Sequence, residues 1–242
     1  MENPVLYQEE GNIAIITLNR PERHNSFTQL LLAQLYDAIE KVDQTPGIRA
    51  AIITGNGKSF CSGIDLQVIG KENLFNPRGD GKELPDIMGA CDKPIIGAVN
   101  GAAVTGGFEL ALNCDILIAS ENAKFGDTHA KVGIHPGWGM TQLLQQKIGQ
   151  QRAKFMSLTC QYIDARRALE WGLVTEVVPA ENLMTRAREV ASLIGATNPD
   201  LMKKIKMLIE YRNSHSLDDS SKFERAEFRK FVEAAQALFN KA

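Results

Sequence analysis

The 242-residue chain has no run of about 18 apolar residues that could span a bilayer. Its opening, MENPVLYQEEGN, lacks the basic-then-apolar pattern of a secretory signal, and its end, FNKA, does not spell a peroxisomal address. Positive charge is not in excess: 27 Lys and Arg stand against 29 Asp and Glu, a formal net charge of −2. No broad basic field is therefore available for nucleic acid, and an anionic partner must be met by local cations. Cysteine is scarce. Cys61, Cys91, Cys114 and Cys160 are scattered with no C-x-x-C spacing, and read as reduced small hydrophobes. The histidines, His24, His129, His135 and His215, form no H-x-x-x-H pair, so no metal is expected. Neither G-x-x-x-x-G-K-[ST] nor a strand-linked G-x-G-x-x-G occurs, and no G-x-S-x-G elbow suggests a serine hydrolase. The expectation that remains is a cytoplasmic protein with no nucleic-acid or membrane partner.

The composition, 44% hydrophobic and 23% charged, supports a substantial core in one large domain or a domain with an appendage. The first half alternates strand and helix signals. Short β-branched runs at 12–19, 50–55, 94–101, 114–120 and 123–127 read as strands. Between the first two, 27–44 carries Leu31, Leu35, Ile39 and Val42 at helical spacing behind Thr28, a good N-cap, and Pro46-Gly47 ends it. Apolar runs without clean alternation suggest strands covered on both faces, with βα crossovers. From about Gly139 the pattern is helical apart from a last strand at 173–179. The division is 1–196 as an α/β core and 197–242 as a helical region, whose stripe of Phe223, Phe228, Phe231, Ala234, Ala235 and Phe239 must pack on the core or on another subunit. The segment 70–84 lacks periodicity and reads as a mobile surface loop.

Two glycine-bearing junctions can carry chemistry. In KSFCSGIDL (58–66), a Ser-Gly pair suggests a tight turn opening a helix, with backbone N–H groups pointing outward. In VNGAAVTGGFELALNCD (99–115), Gly106 and Gly107 let the backbone approach a ligand at a helix start. Two N–H donors aimed at one point make an oxyanion hole. Glu109, in the first turn of that helix, fits two readings: a base facing a substrate, or a carboxylate stabilised by the helix dipole by about 0.3–1 kcal/mol. His129 falls where a short strand should give way to a loop.

The stretches LNRPERHNSFT, FCSGIDL, NGAAVTGGFELALNCDILIAS, AKFGDTHAKVGIHPGWG and ALEWGLVTEVVP follow one another in the order and spacing of the crotonase superfamily, and the chain resembles its enoyl-CoA hydratase/isomerase branch. The resemblance implies a crotonase-like spiral of ββα units with a C-terminal helical region, assembled as a homotrimer or dimer of trimers. It implies an acyl-CoA thioester substrate with no separate cofactor, and an enolate held by the backbone N–H groups of Ile64 and Gly106. Ser62, Gly63, Asp65 and Leu66 become coenzyme A neighbours. Arg20, with Arg23 and His24, supplies nearby cations, and Gly107, Gly137 and Trp138 belong to the substrate site. Hydratases of this family add water with two glutamates. Glu109 holds one of those positions; His129 stands at the other, with Asp127 close enough to orient it. An imidazole titrates near 6.5 and can deliver a proton, or it can merely line the pocket. His135 receives no role and reads as structural. The tail stops before the family's usual last stretch, which leaves coenzyme A contacts from the C-terminus open. Hydration of a 2-enoyl-CoA leads. A decarboxylase, hydrolase or isomerase on the same scaffold, or a homologue that only binds acyl-CoA, are the alternatives.

Overall fold

Four of the five β-branched runs of the first half become strands of one six-stranded sheet in the computed structural model, which describes residues 3–239, and the fifth, 123–127, joins a smaller sheet. In chain order the strands are β1 (Val5–Glu10), β2 (Ile13–Leu18), β3 (Ala50–Gly55), β4 (Ser59–Cys61), β5 (Ile95–Val99), β6 (Ala102–Val104), β7 (Ile116–Ser120), β8 (Lys124–Gly126), β9 (Ile163–Asp164) and β10 (Glu176–Val178). The large sheet runs β1-β2-β3-β5-β7-β10 and is parallel except for the β1–β2 hairpin; the small one runs β4-β6-β8-β9. The helices are α1 (Gln29–Gln44), α2 (Leu84–Ala90), α3 (Gly106–Leu112), α4 (His129–Val132), α5 (Met140–Ile148), α6 (Gln150–Thr159), α7 (Ala165–Glu170), α8 (Leu183–Gly195), α9 (Pro199–Tyr211) and α10 (Leu217–Phe239). None is long and apolar enough to cross a membrane among the described residues.

The chain divides into two compact units, Met1–Ala196 and Thr197–Ala242. In the first, both faces of the large sheet are covered, as the unbroken apolar runs predict. Successive residues of a strand point to opposite faces. Ala14, Ile16, Ala51 and Ile53 accordingly join the cluster containing Leu31, Leu35 and Ile39 of α1. Their neighbours Ile13, Ile15, Ala50 and Ile52 pack with Leu183, Ala187 and Ala191 of α8. Thr28 caps α1, accepting from the Leu31 N–H at 3.2 Å. At the other end, the buried Lys93 ammonium donates to the carbonyls of Val42 and Thr45.

Three local expectations change. No helix opens after Ser62-Gly63. Ile64 instead bridges Phe27, and the Asp65 carboxylate takes the Gln67 N–H at 3.1 Å, so a run of turns replaces the helix. His129 does not enter a loop; it begins the single turn of α4, which Gly133 ends at φ +79°. The segment 70–84 is anchored to α1 rather than loose. Arg78 grips Glu40 through two hydrogen bonds of 2.7 and 2.9 Å and Asp37 at 3.0 Å, and Glu72 accepts from the Gln29 N–H at 2.6 Å. Bonds from Arg78 and Lys82 hold the Glu40 carboxyl down to about 2. Its far end, Glu83, opens α2 in a capping box with Asp86.

In the second unit, Asn198 caps α9 by accepting from Leu201, and Tyr211 stacks between His215 and Phe223. Leu201, Ile205, Ile209, Phe228 and Phe231 are exposed. The side chains of Ala235 and Phe239, the last of the predicted stripe, lie outside the described residues, as do residues 240–242 of FNKA.

Candidate active site

Pairing of β4 with β6 (Cys61 beside Ala103) brings the ends of these strands together, and with them the two glycine-bearing junctions. Gly63 has φ +87°, and a Cβ there would stand 3.0 Å from the Gly106 nitrogen and from the Val104 oxygen. A Cβ on Gly107 would meet the Cys61 carbonyl oxygen at 2.1 Å, so only glycine permits this approach. Between them Thr105 adopts φ 49°, a region that β-branched residues rarely enter and that marks stored strain. Ile64 is fixed by the bridge to Phe27, in which Phe27 donates to Gly63 and Asp65 donates to Phe27. Its own N–H and that of Gly106 then point elsewhere, and neither donates to an acceptor among the described residues. Both residues line a cleft of about 100 Å³.

These contacts carry a stability prediction. Gly107→Ala sets a side chain against backbone, whereas an added Cβ at Gly106 finds only ordinary contacts of 3.4–3.5 Å. Thermal melts should show Gly107→Ala destabilised by about 1–3 kcal/mol or more, and Gly106→Ala clearly less. Equal melting temperatures would contradict the packing described.

Glu109 stands in the first turn of α3 and is buried. Its Oε1 accepts two backbone N–H bonds, from Trp138 at 2.8 Å and Met140 at 3.1 Å. Oε2 lies 3.7 Å from His129 Nε2, too far for a direct hydrogen bond. Burial pushes the Glu109 carboxyl up from its ordinary value, and the two N–H bonds and His129 pull it only partly back. Across the cleft, His129 Nδ1 lies 2.7 Å from Asp127 Oδ1, which also accepts the His129 backbone N–H at 3.1 Å. Burial raises the Asp127 carboxyl, but bonds from His129 and Ser157 outweigh it and keep the group ionised. A carboxylate can only accept, so Nδ1 carries a proton and Nε2 is left facing Glu109.

Ser62, Ile64, Leu66, Gly106, Glu109, His129, Gly137 and Trp138 thus share one cleft. Gly63 and Gly107 lie behind it as packing positions. Arg20 and Asp65 are engaged with each other at 3.1 Å, and Arg20 also donates to the Ser26 carbonyl at 2.6 Å. His24 occupies a left-handed turn with Nδ1 3.0 Å from Ser59 Oγ. Sequence reasoning missed the cleft walls formed by Thr105, Thr128, Val132 and Ile134, and it gave His135 no part although that residue is on the rim. The one-turn α4 and the left-handed Gly133 place His135 there, and no spacing rule reports such a turn. Among the described residues, no group of three His, Cys, Asp or Glu side chains is arranged to hold a metal ion.

The mixed α/β fold, with mostly parallel strands in both sheets, is that of the crotonase superfamily. The model of the enoyl-CoA hydratase/isomerase family matches residues 8–238, and the chain belongs to that family. It is 43% identical to a protein of Arabidopsis thaliana named probable enoyl-CoA hydratase 1, peroxisomal, over 84% of this chain and 76% of that one. It is 36% identical to the short-chain-enoyl-CoA hydratase of Clostridium acetobutylicum, over 93% and 88% respectively. The crystal structure of an enoyl-CoA hydratase from Mycobacterium tuberculosis superposes with a TM-score of 0.81 at 37% identity, covering 95% of this chain and 99% of that one.

Proposed function

We propose that the cleft adds water across the α,β double bond of a 2-enoyl-CoA thioester to give the 3-hydroxyacyl-CoA. The observation that carries this reading is the unshared Glu109 Oε2, set 3.7 Å from His129 Nε2 in the cleft that Ile64 and Gly106 also line. The thioester oxygen takes the two N–H groups, each worth about 2.7–4 kcal/mol once negative charge develops on it. Glu109 then holds a water at Oε2 and removes its proton as oxygen attacks Cβ. The resulting enolate takes a proton at Cα from Nε2–H of the His129 imidazolium, and a proton passing from Glu109 back to His129 restores the pair. Asp127 holds the imidazole in place by accepting its Nδ1–H at 2.7 Å.

Coenzyme A follows the turn at Ser62, Gly63, Asp65 and Leu66. Arg20 serves this turn by bracing Asp65, since its guanidinium is already occupied. The exposed apolar residues of α9 and α10 suit the proposed homotrimer or dimer of trimers. The four cysteines are scattered, and three of them are buried, which suits the reducing cytosol; relatives include proteins named peroxisomal and mitochondrial.

Purified protein mixed with crotonyl-CoA should remove the enoyl-thioester absorbance as product forms. No loss of absorbance with any acyl length would overturn the hydratase reading, and carbon dioxide release from a malonyl-type thioester would redirect it to decarboxylation.

A further inference from the structure

Building on the hydratase reading, we infer that the Trp138 indole, pinned by Glu83, closes the acyl end of the cleft and restricts the enzyme to short enoyl chains. The rim of the cleft, Leu66, Phe75, Val132 and His135, is exposed, whereas Glu109, His129 and Trp138 at its floor are buried. With the thioester oxygen at Ile64 and Gly106, Cα and Cβ fall between Glu109 and His129. Carbons beyond Cβ must continue past that pair. The Trp138 backbone N–H binds Glu109 at 2.8 Å, so the indole begins beside the reacting carbons.

The ring is fixed on several sides. It meets Phe27 edge-on at a centroid distance of 5.9 Å and Phe75 at 6.0 Å, and its Nε1–H donates to Glu83 at 2.8 Å. It also flanks Gly106, where an added Cβ would touch the ring at an ordinary contact of 3.4 Å. Swinging the ring aside breaks the Glu83 bond and uncovers Phe27. Glu83 itself is the half-exposed cap of α2, so the indole is the layer between the cleft and that outer face. The whole cleft, rim to floor, measures only about 100 Å³, so a chain that meets the indole at the floor has little room to lengthen.

The test compares crotonyl-CoA with trans-2-decenoyl-CoA in the parent protein, Trp138→Phe and Trp138→Ala, with melting temperatures confirming that each variant is folded. A single methylene in an apolar pocket is worth about 10–200-fold. The parent should therefore favour crotonyl-CoA in kcat/KM by at least about tenfold. The decenoyl-to-crotonyl ratio should rise by at least that factor in Trp138→Ala and less in Trp138→Phe. A parent that uses both substrates equally, or a ratio unchanged in folded Trp138→Ala, overturns the inference. Calorimetric binding of butyryl-CoA and decanoyl-CoA asks the same question without turnover. If no thioester is hydrated, the hydratase reading fails, while the change in the two dissociation constants on removing the indole still decides the role of Trp138.

Discussion

Glu109→Gln should lower kcat for crotonyl-CoA hydration by about 10²–10⁴-fold while leaving the folded protein at least as stable at neutral pH. Glutamine keeps the shape, and its oxygen can still accept the Trp138 and Met140 N–H bonds that hold Oε1. What it loses is the ionised Oε2, and with it the base. Stability moves the other way because burial raises the Glu109 carboxyl. A carboxyl raised in the folded state binds protons more tightly folded than unfolded. It favours folding below its unfolded value of about 4.3, and that contribution is lost as pH rises through the folded value. At neutral pH the buried anion therefore costs stability that the neutral amide of the variant does not. The melting-temperature advantage of the variant should shrink as pH falls through this window. The acid limb of kcat/KM should correspondingly lie above the ordinary carboxylate range. Near-parental activity in the folded variant would reduce Glu109 to a helix-dipole residue, and an acid limb at or below about 4 would contradict its raised affinity for the proton.

Much of this arrangement was legible in the sequence because it rests on backbone rules. Thr28, Pro46 and the Leu31–Leu35–Ile39 spacing define α1 locally, and short β-branched runs such as AAIITG favour strands buried on both faces. The glycine-bearing junctions were legible as places of close approach, since an added Cβ at Gly63 or Gly107 would crowd the backbone opposite. Long-range choices were not. Whether 62–70 forms a helix depends on Phe27 bridging Ile64, a partner well over thirty residues away in sequence. Whether 70–84 is loose depends on Arg78 finding Glu40 and Asp37 on α1, which charge counting cannot foresee. The links from Trp138 to Glu109 and from Trp138 to Glu83 likewise exist only once α2, α3 and the start of α5 are assembled.

His129→Gln should also slow hydration by about 10²-fold or more, and the way it does so separates proton transfer from pocket lining. A lining residue contributes equally to ground and transition states, so its loss raises KM and spares kcat. A proton donor to Cα acts only in the transition state, so its loss lowers kcat and kcat/KM together. The paired double variant sharpens the distinction. If Glu109 and His129 handle one shared proton, Glu109→Gln with His129→Gln should be about as slow as the worse single variant, because breaking the unit once is enough. Independent contributions would multiply instead. Asp127→Asn extends the argument to the other side of the ring. Asp127 accepts from Nδ1 at 2.7 Å and is held ionised there. An asparagine can offer an N–H in its place, which turns Nδ1 into an acceptor and moves the ring proton to Nε2 in the neutral tautomer. Tautomer reversal of this kind costs serine proteases about 10⁴ in kcat, which bounds the effect expected here. A large fall in kcat for Asp127→Asn with unchanged binding of butyryl-CoA would place the imidazolium on the reaction path. Unchanged kcat in both Asp127→Asn and His129→Gln would leave Glu109 as the sole proton-transfer group and His129 as part of the wall.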